Sequence, residues 1–157
     1  ILRECKCSSL TILEKEQIIE SLEHKYKVSD LKERVRIANS AKKAILVSIH
    51  QNYFSDSRYS GAQVFYPQTA GSEVLAKDMQ HSLVAFLNPG STRQAKKVSG
   101  VYLMEHIQCA GILIECGFLS NKEEAVMLKS ENYQEKMAWA IQMGIMKYVN
   151  KCKKINL

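Results

Sequence analysis

The chain has 157 residues, of which 46% are hydrophobic and 24% are charged. This length and composition indicate one globular domain with a hydrophobic core. No apolar run reaches the roughly 18 residues that span a bilayer, so a transmembrane segment is excluded. The net charge of +6 favours an acidic partner such as nucleic acid, anionic lipid or an anionic cell-wall polymer, although a basic surface without a specific partner explains it equally well.

The start of the chain and its cysteines say little about where the protein is located or what it does. The first residues contain no recognisable signal peptide and read as the middle of a longer sequence, so its absence says little about location. The five cysteines are an odd number and lack a zinc-ribbon spacing. Cys109 and Cys116 lie in or beside an apolar run, where we predict structural thiols.

The first third of the chain is predicted to contain one clear helix. Residues 1–7 read as the end of a helix, residues 8–12 as a short strand and residues 13–27 as a loop with some helix. Ser29 can cap a helix over residues 30–41. Its apolar face would consist of Leu31, Val35 and Ala38.

The rest of the chain alternates between strands and helices. Strands are predicted at residues 44–49, 61–66, 101–104 and 110–114, and helices at residues 72–87 and 133–151. Leu75, Met79, Leu83 and Phe86 would form the core face of the first of these helices, and Met137, Ile141, Ile145 and Tyr148 that of the second. This alternation predicts an α/β fold with a layered, mostly parallel sheet and helices on both faces.

Two polar residues follow buried strands and are candidates for chemistry. His50 follows the strand at residues 44–49, and Glu115 follows the strand at residues 110–114. Ligands of open α/β sheets bind beyond the carboxyl ends of the strands, so the two side chains could meet in one pocket. A neutral imidazole can bind zinc, and a carboxylate can take a proton from water. The alternatives are a hydrogen-bonded surface histidine and a glutamate that caps the next turn.

Three motifs occur in this order: Ser48-Ile49-His50-x-Asn52, Gly61-Ala62-Gln63-Val64-Phe65-Tyr66, and Ile114-Glu115-Cys116-Gly117-Phe118-Leu119-Ser120-Asn121. In order and spacing they resemble the zinc-dependent N-acetylmuramoyl-L-alanine amidases, which cleave the bond between N-acetylmuramic acid and L-alanine. The resemblance extends from residue 30 to residue 149. Within the family, Arg93-Gln94-Ala95-Lys96 and Val101-Tyr102-Leu103-Met104 are most similar to the sporulation amidases of clostridia and bacilli.

The resemblance implies roles for the two candidates. His50 matches the second histidine of a Zn2+ site that the family builds from His, Glu and His, and Glu115 matches the separate catalytic glutamate. Glu115 would take a proton from water and pass it to the leaving amine. The family's first histidine lies in a Gly-His-Gly-Gly turn, and no such segment exists here. Glu14 superficially resembles the glutamate ligand but lies too few residues before His50. We therefore expect both of these ligands upstream of Ile1, together with the first strand and most of the first helix of a single catalytic domain.

One histidine cannot hold a catalytic zinc ion, so we expect this chain to be inactive unless the missing part is supplied. Asn52, Arg34 and Arg93 are candidates for shaping or binding the substrate, with Lys96 and Lys97 facing an anionic glycan or peptide. A surface ion pair for Arg34 and a solvated loop for the other basic residues are equal alternatives.

The resemblance also implies partners and a location. The substrate would be the glycan strands and stem peptide of peptidoglycan, and an activating lipoprotein is a candidate partner. Such a protein is exported to the cell envelope, which for the sporulation subgroup is the space between the forespore membranes. An alternative function is a non-catalytic, wall-binding or regulatory remnant of the fold. A nucleic-acid module finds no support, since the sequence lacks aromatic-basic interleaving and a helix-turn-helix pattern.

Overall fold

The structure is a computed structural model that describes the backbone of residues 12–155 and the side chains of residues 20–154. Along the chain it contains α1 (Ile12–Ser40), β1 (Ile45–Asn52), β2 (Gln63–Tyr66), α2 (Ser72–Leu87), β3 (Lys96–Lys97), α3 (Tyr102–His106), β4 (Ala110–Phe118), α4 (Lys122–Met127) and α5 (Glu131–Ile155). The helix end predicted at residues 1–7 and all but the last residue of the strand predicted at residues 8–12 lie outside the described residues.

The four strands form one sheet in the order β1-β4-β2-β3. β1 pairs with β4 and β2 pairs with β3 in parallel, whereas β2 and β4 are antiparallel. β4 lies between β1 and β2 and is buried along nearly its whole length, which explains its continuous apolar sequence. The prediction of a layered, mostly parallel α/β sheet is confirmed.

Helices cover both faces of the sheet, as predicted. α2 and α5 pack on one face, where Ile112 and Ile114 of β4 contribute to the larger core. α1 and α3 pack on the other face, where Leu113 joins a smaller core with Ala38 and Met104. Because successive side chains of a strand point to opposite faces, β4 supplies both cores in alternation.

The core faces predicted for the two long helices are largely confirmed. Leu75, Met79 and Leu83 of α2 and Met137 of α5 are buried, and Ile141, Ile145 and Tyr148 pack against the same core. Phe86 is exposed, contrary to the prediction, and lies in the last turn of α2.

The prediction of a loop at residues 13–27 is wrong, because α1 is one continuous helix. The side chains of residues 20–27 are all exposed, so no apolar stripe identifies this part of the helix in the sequence. Its glutamate, lysine and leucine residues are nevertheless good helix formers. Ser29 lies inside the helix rather than at its start.

The prediction of a strand at residues 101–104 is also wrong, because the helix α3 begins at Tyr102. Leu103 and Met104 are buried in the smaller core. The side-chain amide of Asn39 in α1 donates to the carbonyl oxygen of His106 at 3.0 Å, and its oxygen accepts from the amide of Gln108 at 2.8 Å. This tertiary contact fixes the end of α3, and a run of four apolar residues cannot reveal it.

The predicted structural thiols agree with the structure. Cys109 and Cys116 are free thiols, and burial raises the pKa of the Cys116 thiol to about 11, so it stays protonated and inert. Within residues 12–155, no helix is both long and apolar enough to cross a membrane.

Candidate active site

His50 and Glu115 are directly paired residues on the neighbouring parallel strands β1 and β4. Both strands extend past the apolar runs visible in the sequence, β1 to Asn52 and β4 to Phe118. Strand backbone rather than loop therefore holds both side chains. Paired residues direct their side chains to the same face of a sheet. On β4 this is the face of Leu113, which α1 and α3 cover.

Glu115 has the environment of a proton acceptor. It is half-buried, and its Oε2 atom is buried without a hydrogen-bond partner from the described residues. Burial raises the pKa of Glu115 above its usual value, and the neighbouring His50 opposes this rise. A carboxylate with a raised pKa holds a proton more readily, which suits a general base that must later release that proton to a leaving group.

Gln63 of β2 pairs with Glu115 on the other side, so a row of three polar residues crosses the sheet from β1 through β4 to β2. The buried amide of Gln63 donates to Gln80 Oε1 at 3.2 Å and to the carbonyl oxygen of Gln94 at 2.8 Å, and its oxygen accepts from Arg93 Nη1 at 3.1 Å. Gln63 is therefore fixed on the side of Glu115 that is away from His50.

His50 is exposed, and its Nε2 atom lies 2.8 Å from Ser48 Oγ. A catalytic zinc ion takes about three protein ligands and a water. Among the described side chains, no group of three His, Cys, Asp or Glu residues lies close enough together to hold a metal ion. The described residues therefore do not fit a catalytic zinc ion by themselves, and His50 could supply only one of its ligands.

Arg34 lies close to His50. A cavity of about 520 Å³ separates α1 from β1, and its lining includes Arg34, Ser48, His50 and Leu103. The guanidinium of Arg34 donates from Nε to Asp30 Oδ2 at 2.8 Å, and both side chains are mostly exposed. Arg34 therefore forms a surface ion pair, as one alternative predicted, and also lines a cavity with His50, while its contact with substrate stays a prediction.

Asn52 marks an irregularity in the pairing of β1 and β4. After His50 and Glu115, the next pair is Asn52 and Phe118, so β4 contains one residue more than β1 at this point. The carbonyl oxygen of Asn52 accepts a hydrogen bond from the amide of Leu119 at 2.7 Å. Such a bulge increases the local twist and redirects the chain beside an active site.

Arg93 lies among protein groups rather than in open solvent. Its Nε atom donates to the carbonyl oxygen of Ser60 at 3.1 Å, and its Nη2 atom donates to the same oxygen. Its guanidinium also lies 5.6 Å from the centre of the Phe118 ring. The guanidinium thus connects the loop before β2 with the end of β4, and contact with substrate stays a prediction. Lys96 and Lys97 form β3 and are exposed.

Glu124 is a residue near the site that the sequence analysis did not single out. Its buried carboxylate accepts hydrogen bonds from the amides of Gly61 at 2.7 Å and Phe118 at 2.8 Å. The signal that could have identified Glu124 is the start of α4. There the side chain of Asn121 caps the helix by accepting hydrogen bonds from the amides of Glu123 and Glu124. A carboxylate in a capped first turn can turn back toward neighbouring backbone.

A second cavity, of about 540 Å³, lies on the opposite face of β1. Its lining is mainly apolar and includes Ile49, Cys116, Tyr133, Met137 and Ile145. Neither His50 nor Glu115 lines it, and burial raises the pKa of both the Cys116 thiol and the Tyr133 hydroxyl. His50 instead lines the cavity on the face of α1 and α3, and Glu115 lines neither of these two cavities.

The sheet with helices on both faces, and the row from His50 through Glu115 to Gln63, define an α/β domain with a polar candidate site that crosses β1, β4 and β2. A family model described as N-acetylmuramoyl-L-alanine amidase matches residues 10–147. The chain therefore belongs to the N-acetylmuramoyl-L-alanine amidase family, and the resemblance found in its sequence motifs is confirmed.

Individual members of the family show which amidases the chain is similar to. The chain is 42% identical over 123 residues to the germination-specific N-acetylmuramoyl-L-alanine amidase of Bacillus subtilis (strain 168), an alignment that covers 78% of this chain and 52% of that protein. It is 33% identical over 121 residues to the amidase LytC of the same organism, of which it covers 24%. Among solved structures, the chain is similar to the CwlD amidase from Clostridioides difficile in complex with the GerS lipoprotein, with a TM-score of 0.74 and 36% sequence identity. The match covers 94% of this chain and 70% of that one. The chain thus spans about half or less of the curated relatives it matches.

Proposed function

We propose that this chain carries the proton-transfer half of a peptidoglycan amidase site, which hydrolyses the amide bond between N-acetylmuramic acid and L-alanine. The observation that carries the proposal is the direct pairing of Glu115 with His50 on adjacent strands, with one Glu115 oxygen buried and available. Membership of the amidase family supports the choice of bond.

Glu115 is the general base. Its carboxylate takes a proton from the attacking water, and the resulting carboxyl group gives that proton to the amine of L-alanine as the amide bond breaks. The raised pKa of Glu115 makes its carboxylate a stronger base for the first transfer than an exposed glutamate. Arg34, which lines the same cavity as His50, and Asn52, at the bulge next to it, border the substrate position.

The cofactor of the complete site is zinc, and His50 is one of its ligands. This part of the proposal rests on the zinc dependence of amidases that carry the same motif order. The remaining ligands come from outside the described side chains, because those side chains contain no group of three that could hold a metal. Arg93 has its guanidinium engaged with protein groups and shapes the substrate site through the loop that it holds.

The biological setting is maturation of the spore cortex or of the vegetative wall, outside the cytoplasmic membrane. The germination-specific relative supports the spore setting. A lipoprotein partner is proposed because the CwlD amidase structure contains the GerS lipoprotein.

The test is release of peptide with a free L-alanine amino terminus from purified peptidoglycan, with the zinc content measured in parallel. The chain of 157 residues is compared with the protein extended by its upstream coding sequence, each as wild type and as Glu115→Gln. We expect release only from a zinc-loaded wild-type protein and a loss of at least about a thousandfold in Glu115→Gln, since general-base catalysis together with water positioning supplies factors of this order. Equal activity of Glu115→Gln would exclude the assignment of the general base.

A second candidate function is a wall-binding remnant without catalysis. The lack of a complete group of metal ligands among the described side chains favours it. It predicts that every form of the protein binds insoluble peptidoglycan and releases no peptide, whatever the zinc concentration.

A further inference from the structure

Residues 53–61, in the loop between β1 and β2, expose aromatic side chains beside the candidate active site. Tyr53 is 75% exposed, Phe54 46% and Tyr59 48%. The rings of Phe54 and Tyr59 meet edge to face with 4.8 Å between their centres, and Tyr59 lies 6.2 Å from the buried ring of Phe118. Aromatic rings left in solvent at this density are common at binding surfaces.

Neighbouring elements hold this loop at several points. The amide of Phe54 donates to Ser120 Oγ at 3.2 Å, and the side-chain amide of Asn121 donates to the carbonyl oxygen of Ser57 at 3.0 Å. Arg93 donates to the carbonyl oxygen of Ser60, and Glu124 accepts from Gly61. These contacts hold the backbone that carries the aromatic side chains, so binding of a ligand here costs little conformational entropy of the loop.

The position of the cluster connects it with the catalytic residues. Tyr53 follows directly after β1, three residues after His50, and Phe118 ends β4, three residues after Glu115. The hydrogen bond from the amide of Leu119 to the carbonyl oxygen of Asn52 holds the two strand ends together. A substrate whose scissile bond lies at Glu115 would therefore place its adjoining group over the loop.

The charge of the loop indicates the kind of group that binds. Residues 53–61 contain one aspartate and one arginine, so their charges sum to zero although the chain as a whole carries +6. Asp56 and Arg58 form an ion pair at 2.7 Å, which lowers the pKa of the Asp56 carboxyl. The guanidinium of Arg93 beside the loop is engaged with Ser60, Gln63 and the Phe118 ring. An aromatic surface whose own charges balance matches the apolar C–H face of an uncharged sugar ring better than it matches a charged stem peptide.

We propose that Tyr53, Phe54 and Tyr59 form a subsite for an N-acetylated sugar ring of the glycan strand. The proposal rests on the amidase function, since the sugar would be the neighbour of the N-acetylmuramic acid whose amide is cleaved. The rings stack on the sugar, and the Tyr53 and Tyr59 hydroxyls are available to its hydroxyl and acetamido groups.

The test is binding of chitotetraose, a neutral oligomer of N-acetylglucosamine without an amide bond to L-alanine, to the chain by titration calorimetry and by NMR shifts of the tyrosine rings. We expect Tyr53→Ala and Tyr59→Ala each to weaken binding about five- to tenfold. Tyr26→Ala is the matched control, because Tyr26 is 71% exposed on α1, and it should leave binding unchanged. Tyr53 is the decisive position, since so exposed a side chain contributes little to folding.

The binding experiment tests the sugar subsite independently of the amidase function. Glu115→Gln should retain wild-type binding of chitotetraose even where it abolishes hydrolysis. No binding, or equal binding by Tyr53→Ala, Tyr59→Ala and wild type, overturns the subsite whether or not the protein hydrolyses peptidoglycan. Weakened binding of a free L-alanyl stem peptide by these variants, with chitotetraose binding unchanged, also overturns it, because the loop would then contact the peptide.

Discussion

The carboxylate of Glu124 accepts a hydrogen bond from the backbone amide of Gly61, 63 residues earlier in the chain, while its other oxygen accepts from the amide of Phe118. A single buried side chain thus joins α4 to the start of β2 and to the end of β4. The loop of residues 53–61 and the strand that carries Glu115 therefore keep a fixed relative position.

Replacing Glu124 should destabilise the fold strongly. Glu124→Ala leaves two amides without their charged acceptor, which should lower the free energy of unfolding by about 3 kcal/mol. The control is Glu123→Ala in the same helical turn, whose exposed side chain should contribute only about 0.5 kcal/mol through the helix dipole. Urea denaturation of both variants measures the difference, and similar losses would show that the two hydrogen bonds are not important.

Glu115→Gln should stabilise the metal-free protein at neutral pH. The pKa of Glu115 is raised in the folded state, so this glutamate loses its proton at a lower pH in the unfolded chain than in the folded one. The free energy of unfolding therefore falls as the pH rises from the unfolded pKa to the folded pKa. Glutamine has no proton to lose and avoids this cost. Thermal unfolding should give equal midpoints for both proteins near pH 4 and a midpoint a few degrees higher for Glu115→Gln at pH 7. A variant less stable than wild type at pH 7 would contradict the burial of an unpartnered charge.

Gly144→Ala should destabilise the contact between α2 and α5. A Cβ atom at this position would lie 2.7 Å from Met79 Sδ and 3.0 Å from Met79 Cα. The backbone atom cannot move away without shifting α2, so overpacking of about 2 kcal/mol should exceed the gain of about 1 kcal/mol in helix propensity. Gln142→Ala, at an exposed position of the same helix, should be neutral or slightly stabilising in the same denaturation experiment.

Tyr133→Phe should change stability in alkaline solution. The hydroxyl of Tyr133 donates to the carbonyl oxygen of Cys116 at 2.8 Å, and burial, together with the charge of Glu124, raises the pKa of Tyr133 to about 12. The unfolded chain loses this proton near pH 10, so the wild type loses stability between the two values. At pH 7 the variant should be less stable by about 1 kcal/mol. The difference should shrink as pH approaches 12, and a constant difference would contradict the raised pKa.

The sequence predicted those parts of the molecule that periodicity and buried strands specify. The apolar runs that became β1 and β4 identified the pair of His50 and Glu115, and helical spacing identified the core faces of α2 and α5. Residues 20–27 of α1 are not identified by such a pattern, because their side chains are exposed to solvent. α3 depends on the contact of Asn39 with His106, and Glu124 depends on two amides distant in the chain. Such long-range hydrogen bonds have no local signal.

Both faces of the parallel β1–β4 pair are apolar, so a slip of one residue would still bury hydrophobic side chains almost equally well. Gly111 resists that slip. A side chain at this position would collide with Ile107 and contact Leu46, and the Gly111 amide donates to Ser72 Oγ at 2.9 Å. In evolution, the loss or gain of a single codon within either strand would therefore leave the core buried and yet separate Glu115 from His50. The burial of the core and the alignment of the candidate site thus depend on different residues.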